Sequence, residues 1–358
     1  MGNFKSRKGE NLLKAEEFEI IMKQRPHVVL LGAGASVAAI PNGDKNNKRT
    51  SVMDGFIEKL GMVNAIDKVS LKTKSNNLED IYSELKSRPE CDEITKELEK
   101  RIYEYFYSFE IPDDPTVYDF LLLSLTKKDL VATFNWDPLL LQAYTRVSRI
   151  TNNLPELAFL HGNVFVGLCN EHKRGGLIYS HCSICGKPFE PTKLLYPVKE
   201  KDYNNDPFIR DSWNLTKHYL NRAYMFTIFG YSAPKSDVSA IKLLKEAWGA
   251  VDNRSLEEIE IIDIKPEEEL RETWDAFIHS HHYSTHSSFF DSSLGRFPRR
   301  SCEATFDRLM NVQWLDGSKG YKQEMSFKDI KTYINDLVHD EQKNNGVLKN
   351  PYLASTLL

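Results

Sequence analysis

The 358-residue chain has no apolar run approaching the ~18 residues that a membrane-crossing helix needs; its longest, Phe120–Leu125, is the size of a core segment. Its first residues, MGNFKSRKGEN, lack the apolar stretch of a secretory signal. Charge of one sign is also lacking. The 47 Lys and Arg against 51 Asp and Glu leave −4, which removes the broad basic face that nucleic-acid binders use. The local group Arg296, Arg299 and Arg300 reads as a solvated loop. Cysteine is scarce, and five in a chain this long do not make a disulfide framework. The expectation is a protein of the reducing cytoplasm, away from membranes and without direct nucleic-acid contacts. What is present is ordinary for a folded body: 41% apolar and 27% charged residues.

Residues 11–24 carry apolar positions at helical spacing, ended by Pro26. His27–Leu31 is a short run rich in β-branched residues that passes straight into Gly32-Ala33-Gly34-Ala35-Ser36, so it reads as a buried parallel strand and a tight turn. Residues 51–126 repeat apolar positions at helical spacing with few strand signals, and read as a helical insertion. Further strands are expected at Asp129–Phe134, Leu157–Leu160, 222–229 and 258–264, with helical patterns between them. Residues 279–302 read as a long loop, and the last ~50 as a helical piece with a tail. Alternating strands and helices imply an α/β fold, a Rossmann-like doubly wound parallel sheet. Its polar motifs all fall just past strand ends, the edge where such sheets bind ligands.

The first of these motifs is the glycine turn. Gly32, Ala33, Gly34 and Ser36 suit a pyrophosphate, because glycine permits close backbone approach and the next helix offers free N–H groups. The third glycine of the full dinucleotide pattern is replaced by Val37, so a plain strand-to-helix turn is the alternative. Asn135 and Asp137 follow the second strand. They either hold a water, ribose hydroxyl or amide, or cap the helix that Pro138 introduces. His161-Gly162 ends the third strand, and an imidazole there can take a proton near neutral pH. Gly230-Tyr231-Ser232 through Lys235 suits a phosphate or ribose, with Ser236 or Asp237 as possible helix caps, and Asp263 could pair with ribose hydroxyls. Cys169, His172, Cys182 and Cys185 have the spacing of a structural zinc site in a small zinc-ribbon-like module, with His181 a rival ligand. Four protein ligands leave no open position, so the metal would be structural. The dense group His279, His281, His282 and His286 reads as exposed loop, and Cys91 and Cys302 as buried or inert.

In this order the motifs resemble the sirtuin superfamily. The resemblance is carried by Gly32–Ser36, Thr133-Phe-Asn135-Trp-Asp137, His161-Gly162, the cysteine module that follows it, Gly230-Tyr-Ser232 and Asp263, and spans roughly residues 25–270. It implies a discontinuous NAD-binding domain of residues 1–50, 127–166 and 195–270. Around it lie the helical insertion 51–126, the cysteine module 167–194 and a C-terminal helical segment 271–358. It implies NAD as substrate, with Gly32, Ala33, Gly34 and Ser36 at the phosphates. Asn135 and Asp137 would line the nicotinamide–ribose pocket and His161 would be the catalytic base. Gly230, Ser232 and Asp263 would hold the phosphate or adenosine half.

The departures from protein-deacylating sirtuins matter. Ala39-Ile-Pro-Asn-Gly-Asp44 stands where Gly-Ile-Pro-Asp-Phe-Arg is usual, and Leu194-Leu-Tyr-Pro-Val198 where a Phe-Gly-Glu stretch pairs with peptide. The phrase Gly230-Tyr-Ser-Ala-Pro-Lys-Ser-Asp237 resembles bacterial sirtuin-like proteins that destroy NAD in antiphage defence. Those are commonly oligomeric, and some work with a HerA-type ATPase. The expected activity is therefore NAD glycohydrolase, giving nicotinamide and ADP-ribose. The rivals are an NAD-dependent protein deacylase and a non-catalytic sensor of an NAD derivative.

Overall fold

The structure is a computed structural model that describes residues 25–50, 53, 55–196, 203, 205–233, 237–310, 312 and 315–343. The expected helix over 11–24 and the Pro234–Ser236 part of the fourth motif lie outside the described residues.

Six parallel strands form the main sheet: β1 His27–Leu31, β2 Leu130–Thr133, β3 Glu156–Phe159, β7 Met225–Phe229, β8 Glu258–Ile262 and β9 Tyr283–His286, in the order β3-β2-β1-β7-β8-β9. Counting only these strands, the order is 3-2-1-4-5-6, the doubly wound arrangement whose direction of winding reverses beside β1. β1 and β7 are wholly buried, as apolar runs covered on both faces must be. One apolar cluster packs Val29, Leu31 and Val131 against the helices of the 53–126 segment. The other packs Val28, Leu30 and Ile228 against the helices Pro207–Arg222 and Val238–Trp248. Three short antiparallel strands make a second sheet, β4 Val166–Cys169, β5 Arg174–Leu177 and β6 Glu190–Pro191, in the order β5-β4-β6.

The insertion folds into the helices Phe56–Lys59, Val63–Asp67, Leu78–Lys86, Asp92–Tyr107 and Val117–Leu123. Local chemistry sets their starts. Asn77 accepts the Glu79 amide at 2.9 Å, and Thr116 with Asp119 forms a reciprocal cap on Val117–Leu123.

Two expectations are corrected. Tyr283–His286 is the edge strand of the sheet, although the sequence reads as loop there. An edge strand has one neighbour and is half-buried along its length, so it tolerates a polar sequence that carries no strand signal. Arg299 and Arg300 are buried, not solvated; Arg299 Nη1 donates to the carbonyls of Leu125 and Asn153 and ties the C-terminal segment down.

A polar chain crosses the buried sheet from its first strand. His27 Nδ1 lies 2.7 Å from Ser301 Oγ and Nε2 lies 2.6 Å from Thr227 Oγ1. Thr227 donates to Glu260 Oε2, so it must accept from His27 Nε2–H, and bare Nδ1 then accepts from Ser301. Burial lowers the His27 pKa to about 4, against the opposing charges of Glu260 and Asp129. In the unfolded chain the same imidazole takes its proton near pH ~6.5. Below that pH the unfolded state holds more protons, so the fold loses stability as pH falls toward 4, by about 3 kcal/mol in all. Urea unfolding between pH 7 and 4.5 should show this loss, and His27→Asn should flatten it.

Candidate active site

The register of the sheet sets the site. Leu31, Thr133, Phe159, Phe229 and Ile262 stand level on adjacent strands. One residue later come Gly32, Phe134, Leu160, Gly230 and Asp263; two residues later come Asn135 and His161. Adjacent parallel strands are about 4.8 Å apart, so these chain ends emerge side by side at one edge. The ladder continues past the strands through Gly32 N–H to Phe229, Phe134 N–H to Leu31, Leu160 N–H to Thr133 and Gly230 N–H to Ile262.

The glycines do something other than leave room for a ligand. Gly34 N–H donates to the Gly230 carbonyl at 2.9 Å. A Cβ on Gly32 would sit 2.5 Å from that same oxygen, and one on Gly230, whose φ is +61°, would sit 2.3 Å from Ala35 N. Gly32, Gly34 and Gly230 therefore let the turns after β1 and β7 touch backbone to backbone. Ala33 and Gly34 remain exposed on the outer side of that contact.

Beneath the turn lies a buried polar network. Ser36 donates to Asp137 Oδ2 at 2.7 Å, and Asp137 Oδ1 accepts the Leu139 amide at 3.1 Å. Asn135 Nδ2 donates to the Gly32 carbonyl at 2.8 Å and reaches Ser36 Oγ at 2.9 Å and Tyr118 Oη at 3.2 Å. A carbonyl can only accept, so the amide nitrogen must face Gly32 and the amide oxygen must face away. Asn135 Oδ1 accepts no hydrogen bond among the described residues. Burial raises the Asp137 carboxyl above the usual range, opposed by the Ser36 hydroxyl and the Leu139 amide. Ser36, expected at a phosphate, is thus turned inward. Of the two alternatives left open for Asp137, the structure shows the capping one: its carboxylate accepts Leu139 N–H at the start of the helix Leu139–Val147, and it also anchors the network through Ser36.

The His161 ring is buried with its centroid 4.6 Å from Phe134 and 6.1 Å from the nearly parallel ring of Tyr203. Gly162 adopts φ +80°, and a Cβ there would be 2.2 Å from the Lys193 carbonyl. The His161 carbonyl accepts Leu195 N–H at 2.9 Å. The chain leaving the cysteine module is therefore laid directly over the His161-Gly162 turn. Ser232 is exposed and Asp263 half-buried at neighbouring strand ends. Asp263 Oδ1 accepts Lys265 N–H at 3.1 Å, and among the described residues no hydrogen bond joins Asp263 to Asn135. Asp237 precedes its helix without capping it and instead accepts from Tyr231 Oη at 2.9 Å.

Cys169, His172, Cys182 and Cys185 come together with their donor atoms within 4.8 Å of one another, and His181 is outside the set. Sulfur bonds of ~2.3 Å and nitrogen bonds of ~2.0 Å at tetrahedral angles put S···S near 3.8 Å and S···N near 3.5 Å. The structure has Cys169 Sγ 3.7 Å from Cys185 Sγ, and His172 Nδ1 3.5 Å from Cys169 Sγ and 3.7 Å from Cys182 Sγ. The four donors fit a closed, structural zinc site. Backbone amides of Cys185 and Ile184 aimed at Cys182 lower its thiol to about 6, which favours the thiolate a metal needs. The other two cysteines, Cys91 and Cys302, are buried, and burial pushes the Cys302 thiol up.

Sequence reasoning missed Tyr118, which is 1% exposed and belongs to the Ser36–Asn135 network. It also missed a groove of about 710 Å³ between the insertion and the segment after the module, lined by Tyr82, Lys86, Tyr103, Leu194 and Tyr196 among others. Tyr196 joins this groove to the site, its ring 5.6 Å from Trp136.

No family model and no curated protein matches the chain. Among solved structures, it is similar to a Sir2 homologue in complex with NAD, at 15% identity over 82% of this chain and 94% of that one, with a TM-score of 0.39. A structure on the mechanism and regulation of Sir2 enzymes gives 15% identity, 81% and 96% coverage and a TM-score of 0.38. Sir2 bound to acetylated peptide gives 15%, 83% and 98%, and 0.33. No helix among the described residues is long and apolar enough to cross a membrane.

Proposed function

We propose that the chain is a sirtuin-like NAD hydrolase that cleaves NAD to nicotinamide and ADP-ribose. The observation that carries this reading is the arrangement of Asn135. Its amide nitrogen is spent on Gly32, Ser36 and Tyr118, its oxygen is left as an acceptor, and it stands in register with His161 on the next strand. An acceptor fixed in direction can orient a water or a ribose hydroxyl.

Nicotinamide leaves neutral from a cation, taking the electron pair of its bond to ribose C1′. The ribose gains oxocarbenium character, as in other glycoside cleavages. Water adds at C1′, and its proton passes to His161, the proposed base. Gly32, Ala33, Gly34, Gly230, Ser232 and Asp263 would hold the phosphates and adenosine half along the strand ends. The zinc site takes no part in the chemistry; it holds the segment that covers His161-Gly162. By the resemblance of the Gly230–Asp237 phrase, we propose that the protein is a cytoplasmic, homo-oligomeric effector of antiphage defence by NAD depletion, with a HerA-type ATPase as partner.

The Tyr- and Leu-lined groove beside Trp136 favours a second reading, an NAD-dependent protein deacylase with peptide lying along Leu194–Tyr196. Incubation with NAD, with and without an acetyl-lysine peptide, separates the two. Nicotinamide and ADP-ribose released without peptide is the expected result. Release only with peptide supports the deacylase, and tight NAD binding without turnover in any assembly supports a sensor.

A further inference from the structure

We infer that Tyr203 is a further substrate-contacting residue: its buried phenol hydroxyl stands beside His161 as a hydrogen-bond donor for the ribose that carries the nicotinamide. The inference rests on the reading above and deepens it, since it assigns a contact to one half of that ligand.

Tyr203 is brought to the strand-end edge by the chain that follows it. Pro207 opens the helix Pro207–Arg222, and Asp206 caps it by accepting the amides of Phe208 at 2.9 Å and Ile209 at 3.1 Å. On that helix Trp213 Nε1 donates to the carbonyl of Leu160, the residue before His161, at 3.2 Å. The Trp213 ring packs on Tyr203 with centroids 4.8 Å apart. The helix that is tied to the His161 turn therefore also braces Tyr203, whose ring lies within 11° of parallel to the imidazole.

This is a costly place for a tyrosine. Tyr203 is 5% exposed, and its hydroxyl has no hydrogen-bond partner among the described residues. A buried hydroxyl without a partner opposes folding, and phenylalanine would fill the same space without that cost. Asp237 does not relieve it: its charge reaches Tyr203, but its carboxylate accepts from Tyr231 Oη at 2.9 Å. Burial, then that charge, pushes the Tyr203 phenol up, so the hydroxyl keeps its proton and can donate. The Phe134 ring lies 4.6 Å from the imidazole and 4.5 Å from the Tyr231 ring. The hydroxyl thus lies among residues that follow β2, β3 and β7, in apolar surroundings that strengthen a hydrogen bond. An oxygen of the ligand's terminal ribose is the partner it lacks. Tyr224 has an unpartnered buried hydroxyl too, but it precedes β7 and stands at the far end of the sheet.

Tyr203→Phe in the full chain removes that oxygen and keeps the ring. Titration calorimetry with ADP-ribose, and with ADP, which has no terminal ribose, reads the contact. ADP-ribose binding should weaken by about 3- to 10-fold, the size of one hydrogen bond, with ADP binding unchanged and the melting temperature unchanged or higher. Tyr224→Phe is the control and should leave both affinities as they are. Unchanged ADP-ribose binding overturns the inference. So does an equal loss for ADP, which moves the contact to the phosphates, or an equal loss in Tyr224→Phe. A lower melting temperature, or failure to fold, overturns it as well, since the hydroxyl then has a partner inside the protein. If the parent binds ADP-ribose but releases no nicotinamide from NAD, the hydrolase reading fails by itself and the affinity ratio still decides the role of Tyr203. If the parent binds no ADP-ribose, the inference fails with the site it depends on.

Discussion

Asn135→Ala should lower nicotinamide release from NAD by on the order of 100-fold or more while the protein stays folded. The substitution deletes the outward-facing oxygen, the one polar atom of the network left without a protein partner among the described residues. Losing one well-placed polar group at a reacting centre typically costs ~10²–10³ in rate. It also strips the Gly32 carbonyl of its side-chain donor, so a stability loss of about 1–3 kcal/mol accompanies it. Asn135→Asp is a sharper comparison. It keeps an acceptor but sets a carboxylate against the Gly32 carbonyl, so it should be as poor an enzyme as the alanine variant. His161→Ala should cost ~10²–10⁴-fold, as loss of a general base does. Full activity in both Asn135→Ala and His161→Ala would defeat the assignment of this edge of the sheet. Initial rates of nicotinamide release, with thermal unfolding on the same samples, provide the measurement.

The second large effect concerns the metal. The purified protein should carry close to one zinc per chain by elemental mass spectrometry, and Cys182→Ser should lose it. Structural zinc is worth an apparent ~10–16 kcal/mol in small zinc-binding domains at neutral pH, because the site forms only on folding. The cluster around Cys169, Cys182 and Phe189 has little other core, so the module without metal should open to protease near residues 170–190. The damage should travel. Leu195 N–H is bonded to the His161 carbonyl, and the Lys193 carbonyl covers Gly162. Release of that segment exposes His161, and loss of NAD cleavage along with the zinc is the expected result. A metal-free native protein with the same protease pattern as Cys182→Ser would contradict it.

How much was legible in the sequence depends on what each residue faces. The central strands announce themselves because both of their faces are covered, so Val28–Leu31 is apolar without interruption and Met225–Phe229 is broken only by Thr227. The proposed site residues sit just past those ends, and finding the strands located Asn135, His161 and Asp263 together. β9 escaped because an edge strand needs no apolar run. The four-donor cluster that could hold zinc was legible from spacing alone, and geometry includes His172 and leaves out His181.

The directions in which side chains point were not legible. Ser36 reads equally well as a phosphate contact or as an inward donor, and only packing decides. Tyr118 was hidden because Val117–Leu123 looks like plain core. Its signal was the Tyr-Asp pair inside a fully buried helix, since two polar groups placed there must find partners. Those partners are Ser36 and Arg146, 82 and 27 residues away along the chain. Arg300 was misread for the matching reason: a run of basic residues looks solvated until the chain folds over it.

The claim on which the rest depends is that the ends of β1, β2, β3, β7 and β8 share one ligand. A crystal structure of the protein with ADP-ribose tests it most directly. The expected complex has the pyrophosphate beside Ala33 and Gly34, the adenosine half toward Ser232 and Asp263, and the terminal ribose within hydrogen-bonding reach of Asn135 Oδ1. ADP-ribose bound elsewhere on the molecule, with Asn135 and His161 untouched, would contradict it.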